Sequence, residues 1–149
     1  MINWLFLISF SLFGLCTATA VELDHLRTNY SQTVENAQLC QRLIAELEKK
    51  DAEPIYMGYL GALQAIWAGH AKGPIAKLRS FNTGKSNLEK AVATDPNNVE
   101  LRFLRFSIQQ NCPRFLGYRN NMKEDKKFIQ DNIHHVKSAQ LRSMCLAIL

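Results

Sequence analysis

Residues Thr83–Phe106 read TGKSNLEKAVATDPNNVELRFLRF, and the punctuation of this stretch decides the fold. Leu88, Ala91 and Val92 recur at helical spacing until Asp95-Pro96-Asn97-Asn98 interrupts them. Proline cannot continue the first helix, because its ring lacks the N–H and clashes with the preceding turn. An asparagine directly ahead of Val99 supplies the side-chain oxygen that caps a second helix. Helix, Asp-Pro turn and helix, with small residues on the packed face, describe an antiparallel helical hairpin. Arrays of such hairpins serve as binding surfaces more often than as catalysts.

Helical periodicity extends upstream. Apolar residues at Leu23, Leu26, Tyr30, Val34, Ala37, Cys40, Ile44 and Leu47 step by three and four and predict one helix or a bent helix pair. It ends at Lys49-Lys50, cations suited to a helix C-terminus. Pro54 stands at a first helical position, and Pro54 to Ala71 is apolar around most of its girth, as a central buried helix must be. Gly58 and Gly61 interrupt its large side chains. Each costs a helix about 1 kcal/mol relative to alanine, so they point to close approach of a neighbouring backbone. Lys72-Gly73-Pro74 ends this segment, and a short helix is expected over Ile75–Phe81, ahead of a break at Asn82-Thr83-Gly84.

Downstream, Asn111-Cys112-Pro113 terminates the helix that carries Arg102 and Arg105, and Phe115-Leu116-Gly117-Tyr118 forms an apolar connector. A helix over Met122–Val136 turns Phe128, Ile129, Ile133 and Val136 to one face, and Ser138 caps a last helix carrying Leu141, Met144, Cys145 and Ile148. Nowhere do apolar and polar residues alternate over a strand's length, and no Asn-Gly or Asp-Gly hairpin turn occurs. The expectation is a single all-α domain of antiparallel helical hairpins.

Residues 1–20, MINWLFLISFSLFGLCTATA, stand apart from that domain. Trp4–Leu15 is an apolar run and Ala18-Thr19-Ala20 a small-x-small cleavage pattern, so a signal peptide is expected, with a mature chain starting at Val21. Leu15 occupies the position where lipoprotein processing needs a small residue, which argues against a lipid on Cys16. Removing these 20 residues from 149 leaves 129, enough for one domain with its own core, residues 21–149. The formal charge of +5 falls wholly in this part and favours acidic partners or surfaces weakly. Its three cysteines, Cys40, Cys112 and Cys145, are too few for a disulfide-built fold. One bridge among them, or none, is compatible with export.

Counted back from Pro96, a small residue at Gly84, then Leu88 and Ala91, resemble the second half of a tetratricopeptide repeat. Tyr59, Leu60 and Gly61 resemble its first half, with about ten residues, Lys72 to Phe81, as an insertion. After Pro96, Arg102 and Arg105 occupy positions where such a repeat wants apolar side chains. The resemblance implies a degenerate, tetratricopeptide-like array of two hairpins. The chain also resembles a group of small exported bacterial proteins that carry a similar run: Arg102–Gln109, Pro113–Tyr118 and Glu124–Lys126 here. That likeness implies export to the bacterial envelope, periplasmic or secreted, and lends no activity.

Sites of chemistry are sparse. Thr83-Gly84-Lys85-Ser86 imitates the end of a phosphate-binding loop, but Arg79 stands where the motif needs its first glycine. His134-His135 are adjacent, about 100° apart around a helix, and cannot ligate as an i, i+4 pair can. No cofactor or metal is expected. Cys40, Cys112 and Cys145 lack any nucleophile signature. Glu124, Asp125 and Asp131 alternate with Lys123, Lys126 and Lys127 and read as a solvated, compensated face.

The exception is Arg102-Phe103-Leu104-Arg105-Phe106. Arg102 and Arg105 share one side of an otherwise internal helix, and each can hold a carboxylate through two parallel hydrogen bonds. That acid is either internal, with Glu100, Asp95 and the Glu124-Asp125 pair as candidates, or belongs to a ligand. The sequence therefore predicts an exported module that binds a protein or peptide, with Arg102 and Arg105 as candidate anchors. The competing readings are a small envelope hydrolase whose site assembles from distant residues, and a basic protein of the membrane surface. Nucleic acid is not an expected partner of an exported chain.

Overall fold

Short polar side chains and prolines set the helix starts in the computed structural model, which describes residues 15–51 and 53–149. Helix α1 (Leu15–Tyr30) passes through a 3-10 turn, Ser31–Val34, into α2 (Ala37–Leu47). Asn36 caps α2, its side chain accepting from the Leu39 N–H at 2.9 Å. Helices α3 (Pro54–His70) and α4 (Pro74–Thr94) both open on a proline, whose missing N–H would have had no helical partner there. Asn98 caps α5 (Val99–Asn111) by accepting from the N–H groups of Glu100 and Leu101 at 3.0 and 3.3 Å. Then come α6 (Met122–Asn132) and α7 (Ala139–Leu146), the latter capped by Ser138. The described residues contain no strand, and none of their helices is long and apolar enough to cross a membrane. Most of the expected leader, residues 1–14, lies outside the described residues.

The α3–α4 hairpin is the most extensive helix pair. Gly73 turns the chain between the two helices at φ +83°, a conformation side chains rarely adopt. A Cβ on Gly61 would stand 2.6 Å from the Gly84 carbonyl oxygen, and one on Gly84 would stand 2.5 Å from the Ala65 nitrogen. The helices thus touch backbone to backbone, the close approach expected at Gly61, whereas Gly58 makes room for the Leu101 side chain of α5. One expectation is corrected here: Asn82-Thr83-Gly84 does not break the chain. Ile75–Phe81 and the following residues form one 21-residue helix, because Gly84 serves the helix contact and not a turn.

Helix α5 lies against both α3 and α4, and every residue from Glu100 to Gln109 except Arg102 is buried. Leu63 of α3, Leu88 of α4, and Leu101 and Leu104 of α5 are completely covered. Helix α2 flanks α3 through Leu39 and Leu43, α6 docks on α5 through Ile129, and α7 reaches α1. The single apolar stripe expected from Leu23 to Leu47 is reset at the 3-10 turn. Val34 is exposed, Thr33 is buried, and Leu39 and Leu43 take over the inward face. Cys40, Cys112 and Cys145 are free, buried thiols, so the fold uses them as small apolar side chains. Burial pushes Cys40 up to about 11 and Cys145 up to about 12.

Candidate functional site

Arginines 102 and 105, three residues apart on α5, project toward α6 from a side about 100° around the helix from Leu101 and Leu104, which meet Gly58 of α3. Arg105 grips Asp125 through two parallel bonds, Nε to Oδ2 at 2.7 Å and Nη2 to Oδ1 at 2.8 Å, and its Nη1 reaches Glu89 of α4 at 3.0 Å. Arg102 Nη1 donates to both Asp125 (2.8 Å) and Glu124 (2.7 Å), and its Nε holds the Pro96 carbonyl across the Asp-Pro turn. Tyr118 donates its hydroxyl to Glu89 at 2.5 Å and so ties the connector into the same network. Burial opposes the Arg105 charge, yet the hydrogen bonds and negative charges of Asp125 and Glu89 together outweigh it and raise that guanidinium above its ordinary value. Arg102 holds Glu124 below the usual carboxylate range.

Of the two partners the sequence left open for Arg102 and Arg105, the fold supplies the internal one. The Glu124-Asp125 pair takes that part, whereas Asp95 bonds Asn98 and Glu100 turns the other way. The reading of Asp125 as part of a solvated face is corrected: it is fully buried beneath the two arginines. Lys127 and Asp131, 2.6 Å apart in solvent, do form the compensated surface pair.

A second buried grip went unread in the sequence. Arg27 of α1 donates from Nε and Nη2 to the two oxygens of Glu100 at 2.8 and 2.7 Å, and Tyr59 of α3 adds its hydroxyl at 2.6 Å. The hydrogen bonds to Glu100 raise Arg27, and burial pushes Tyr59 well above its ordinary value. The one available signal was an acid inside the apolar face of α5. Its partner lies 73 residues away, and no spacing rule reaches that far.

The remaining sequence candidates do not assemble a reactive centre. Thr83-Gly84-Lys85-Ser86 lies in the middle of α4, without the loop a phosphate needs. His134 and His135 are both exposed, and their rings sit 3.9 Å apart. Among the described residues, no three His, Cys, Asp or Glu side chains gather as metal ligands.

What the packing does create is an open groove of about 470 Å³, floored by α3 and walled by α2 and α4. Ile44 and the half-buried Trp67 give it an apolar base. Gln41 and Glu48 line one wall, and Arg79, Ser80 and Thr83 the other. Gln64 rises between them. Its Oε1 accepts from Asn87 at 2.8 Å, which leaves its amide N–H groups without a partner among the described residues. Small residues, Ala45 on α2 and Ala76 on α4, keep the walls apart at the rim. Periodicity alone could not find this site, because its residues come from three helices and most are ordinary surface positions.

No protein-family model, curated protein or solved structure matches the chain.

Proposed function

We propose that the protein is an exported, tetratricopeptide-like helical module that binds a protein or peptide segment in the α2–α3–α4 groove. The groove carries this reading. An apolar base with a half-exposed tryptophan rewards a side chain of the partner, and carboxamide and hydroxyl groups along its sides can pair with peptide N–H and C=O groups. Arg79 and Glu48 on opposite walls add an orientation to whatever lies between them. The groove is shallow and offers no nucleophile beside a base. Ser80, its most inward hydroxyl, donates to the Gln64 carbonyl at 2.7 Å. Arg102 and Arg105 contribute by holding α4, α5 and α6 in register, which keeps the α4 wall in place. Export rests on the Ala18-Thr19-Ala20 pattern and is tested by N-terminal sequencing of the chain from its source cells, with Val21 as the expected first residue.

Ala45 and Thr83 are exposed on facing walls, so Ala45→Arg and Thr83→Arg should fill the groove without disturbing the core. Affinity capture from an envelope extract, read by mass spectrometry, should enrich a partner with the native chain and lose it with either variant. Equal recovery by native and blocked chains rejects the groove, and the absence of any partner rejects the binding role.

A further inference from the structure

Helix α4 outruns the helix it packs on. Every residue from Pro74 to Arg79 is exposed, and Ile75 and Leu78 keep 74% and 50% of their surface in solvent. Their spacing places them on one side of α4, with Arg79 between them and the rest of the groove wall, Ala76, Ser80 and Thr83. Further along α4, the Tyr118 ring packs edge-on against Phe81 at 6.0 Å and beneath the Lys85 ammonium at 5.0 Å. Tyr118 belongs to the connector that presents Phe115, 87% exposed, the most solvated large apolar side chain among the described residues.

Cations outnumber acids around these side chains, and Glu89, the acid beside Tyr118, is taken up by Tyr118 and Arg105. From Pro54 to Leu88 the chain contains no Asp or Glu, while Lys72, Lys77 and Lys85 fall there and Arg114 adjoins Phe115; Arg79 belongs to the groove wall. None of these four cations forms an ion pair among the described residues, so their charge is free to meet an outside anion.

We propose that the α4 tip and the neighbouring connector form a docking surface for an anionic lipid membrane, separate from the groove. Protruding apolar side chains ringed by long cationic ones match an interface where the apolar groups enter the headgroup–acyl boundary and the cations meet lipid phosphates. A second copy of the chain is a poor occupant, because it would bring uncompensated cations face to face. A protein partner would need a shaped contact, and side chains this exposed stand proud of the surface. The attachment is weak and reversible, carried by three apolar side chains and a handful of charges.

Co-sedimentation with lipid vesicles tests this on protein purified from export-competent cells. Neutral phosphatidylcholine vesicles supply the baseline, including any contribution of the apolar leader. Vesicles containing phosphatidylglycerol should bind at least about tenfold more protein at low salt, and the excess should vanish near 0.5 M salt, where screening is short-ranged. Lys72→Glu with Lys77→Glu, and separately Ile75→Asp with Leu78→Asp, should each remove most of the excess while leaving the helical circular dichroism intact. Lys123→Glu on α6 should leave most of the excess, and the groove-blocking Ala45→Arg on α2 should not lower it, which separates this surface from the groove. No preference for anionic vesicles, or equal loss with Lys123→Glu, overturns the proposal. So does binding to polyglutamate without binding to vesicles, which would assign the tip to an acidic protein instead.

Discussion

Replacing Arg105 by alanine is the sharpest probe of the fold. The side chain is nearly buried and makes three bonds to charged acceptors, two to Asp125 and one to Glu89. Its loss strands Asp125, which has no exposed surface and cannot recover water. Breaking a buried pair from one side costs about 3–5 kcal/mol. Arg102 still reaches one Asp125 oxygen at 2.8 Å, so the lower part of that range, about 3–4 kcal/mol, is expected. For a domain whose whole stability is on the order of 5–15 kcal/mol, this is a large share. Urea unfolding of the native chain, Arg105→Ala, Asp125→Ala and the double variant measures both the loss and the coupling. Replacing both partners with apolar residues, Arg105→Met with Asp125→Leu, should recover most of the deficit, because no fully buried charge is then stranded: Arg102 keeps Glu124 and the Pro96 carbonyl, and Glu89, partly exposed, keeps the Tyr118 hydroxyl. A loss below about 1 kcal/mol for Arg105→Ala, or single-variant losses that simply add, would refute the reasoning.

The hairpin contact makes a paired prediction: Gly84→Ala should destabilise by about 2 kcal/mol despite better helix propensity, since its Cβ meets α3 backbone, whereas Gly69→Ala, with nothing within 4 Å, should be neutral or stabilising. Denaturant midpoints read both, and a stabilised Gly84→Ala would show that α3 and α4 can separate freely. Burial raises the phenols of Tyr30, Tyr59 and Tyr118, so the native state keeps protons that the unfolded chain releases above about pH 10. Stability should hold below that pH and fall above it by up to about 1.4 kcal/mol per pH unit for each tyrosine; Tyr118→Phe should shallow the slope, and a flat profile would contradict the burial. Cys40 and Cys145 should resist alkylation at neutral pH until the chain unfolds, which mass-resolved labelling across a denaturant series can follow.

The sequence by itself determined that the chain is helical and where several helices begin. Pro54, Asn98 and Ser138 mark helix starts through local backbone chemistry, and the apolar spacing around Leu88 marks an inward face, because both signals act within a turn or two of helix; Pro74 read as a terminator and turned out to open α4. It also identified α5 as an internal helix whose arginines need acids. Only the tertiary structure decided which acids those are and where the surface opens. Arg105 chose Asp125 and Glu89, and Arg27 chose Glu100, because helix packing brings together residues that no periodicity relates. Gly84 shows the same division. The sequence marked it as a small residue near a turn, and the packing made it the point where two backbones meet. The groove over Trp67 and the exposed tip at Ile75 and Leu78 likewise follow from where α3 ends beneath the longer α4, a matter of how whole helices stack.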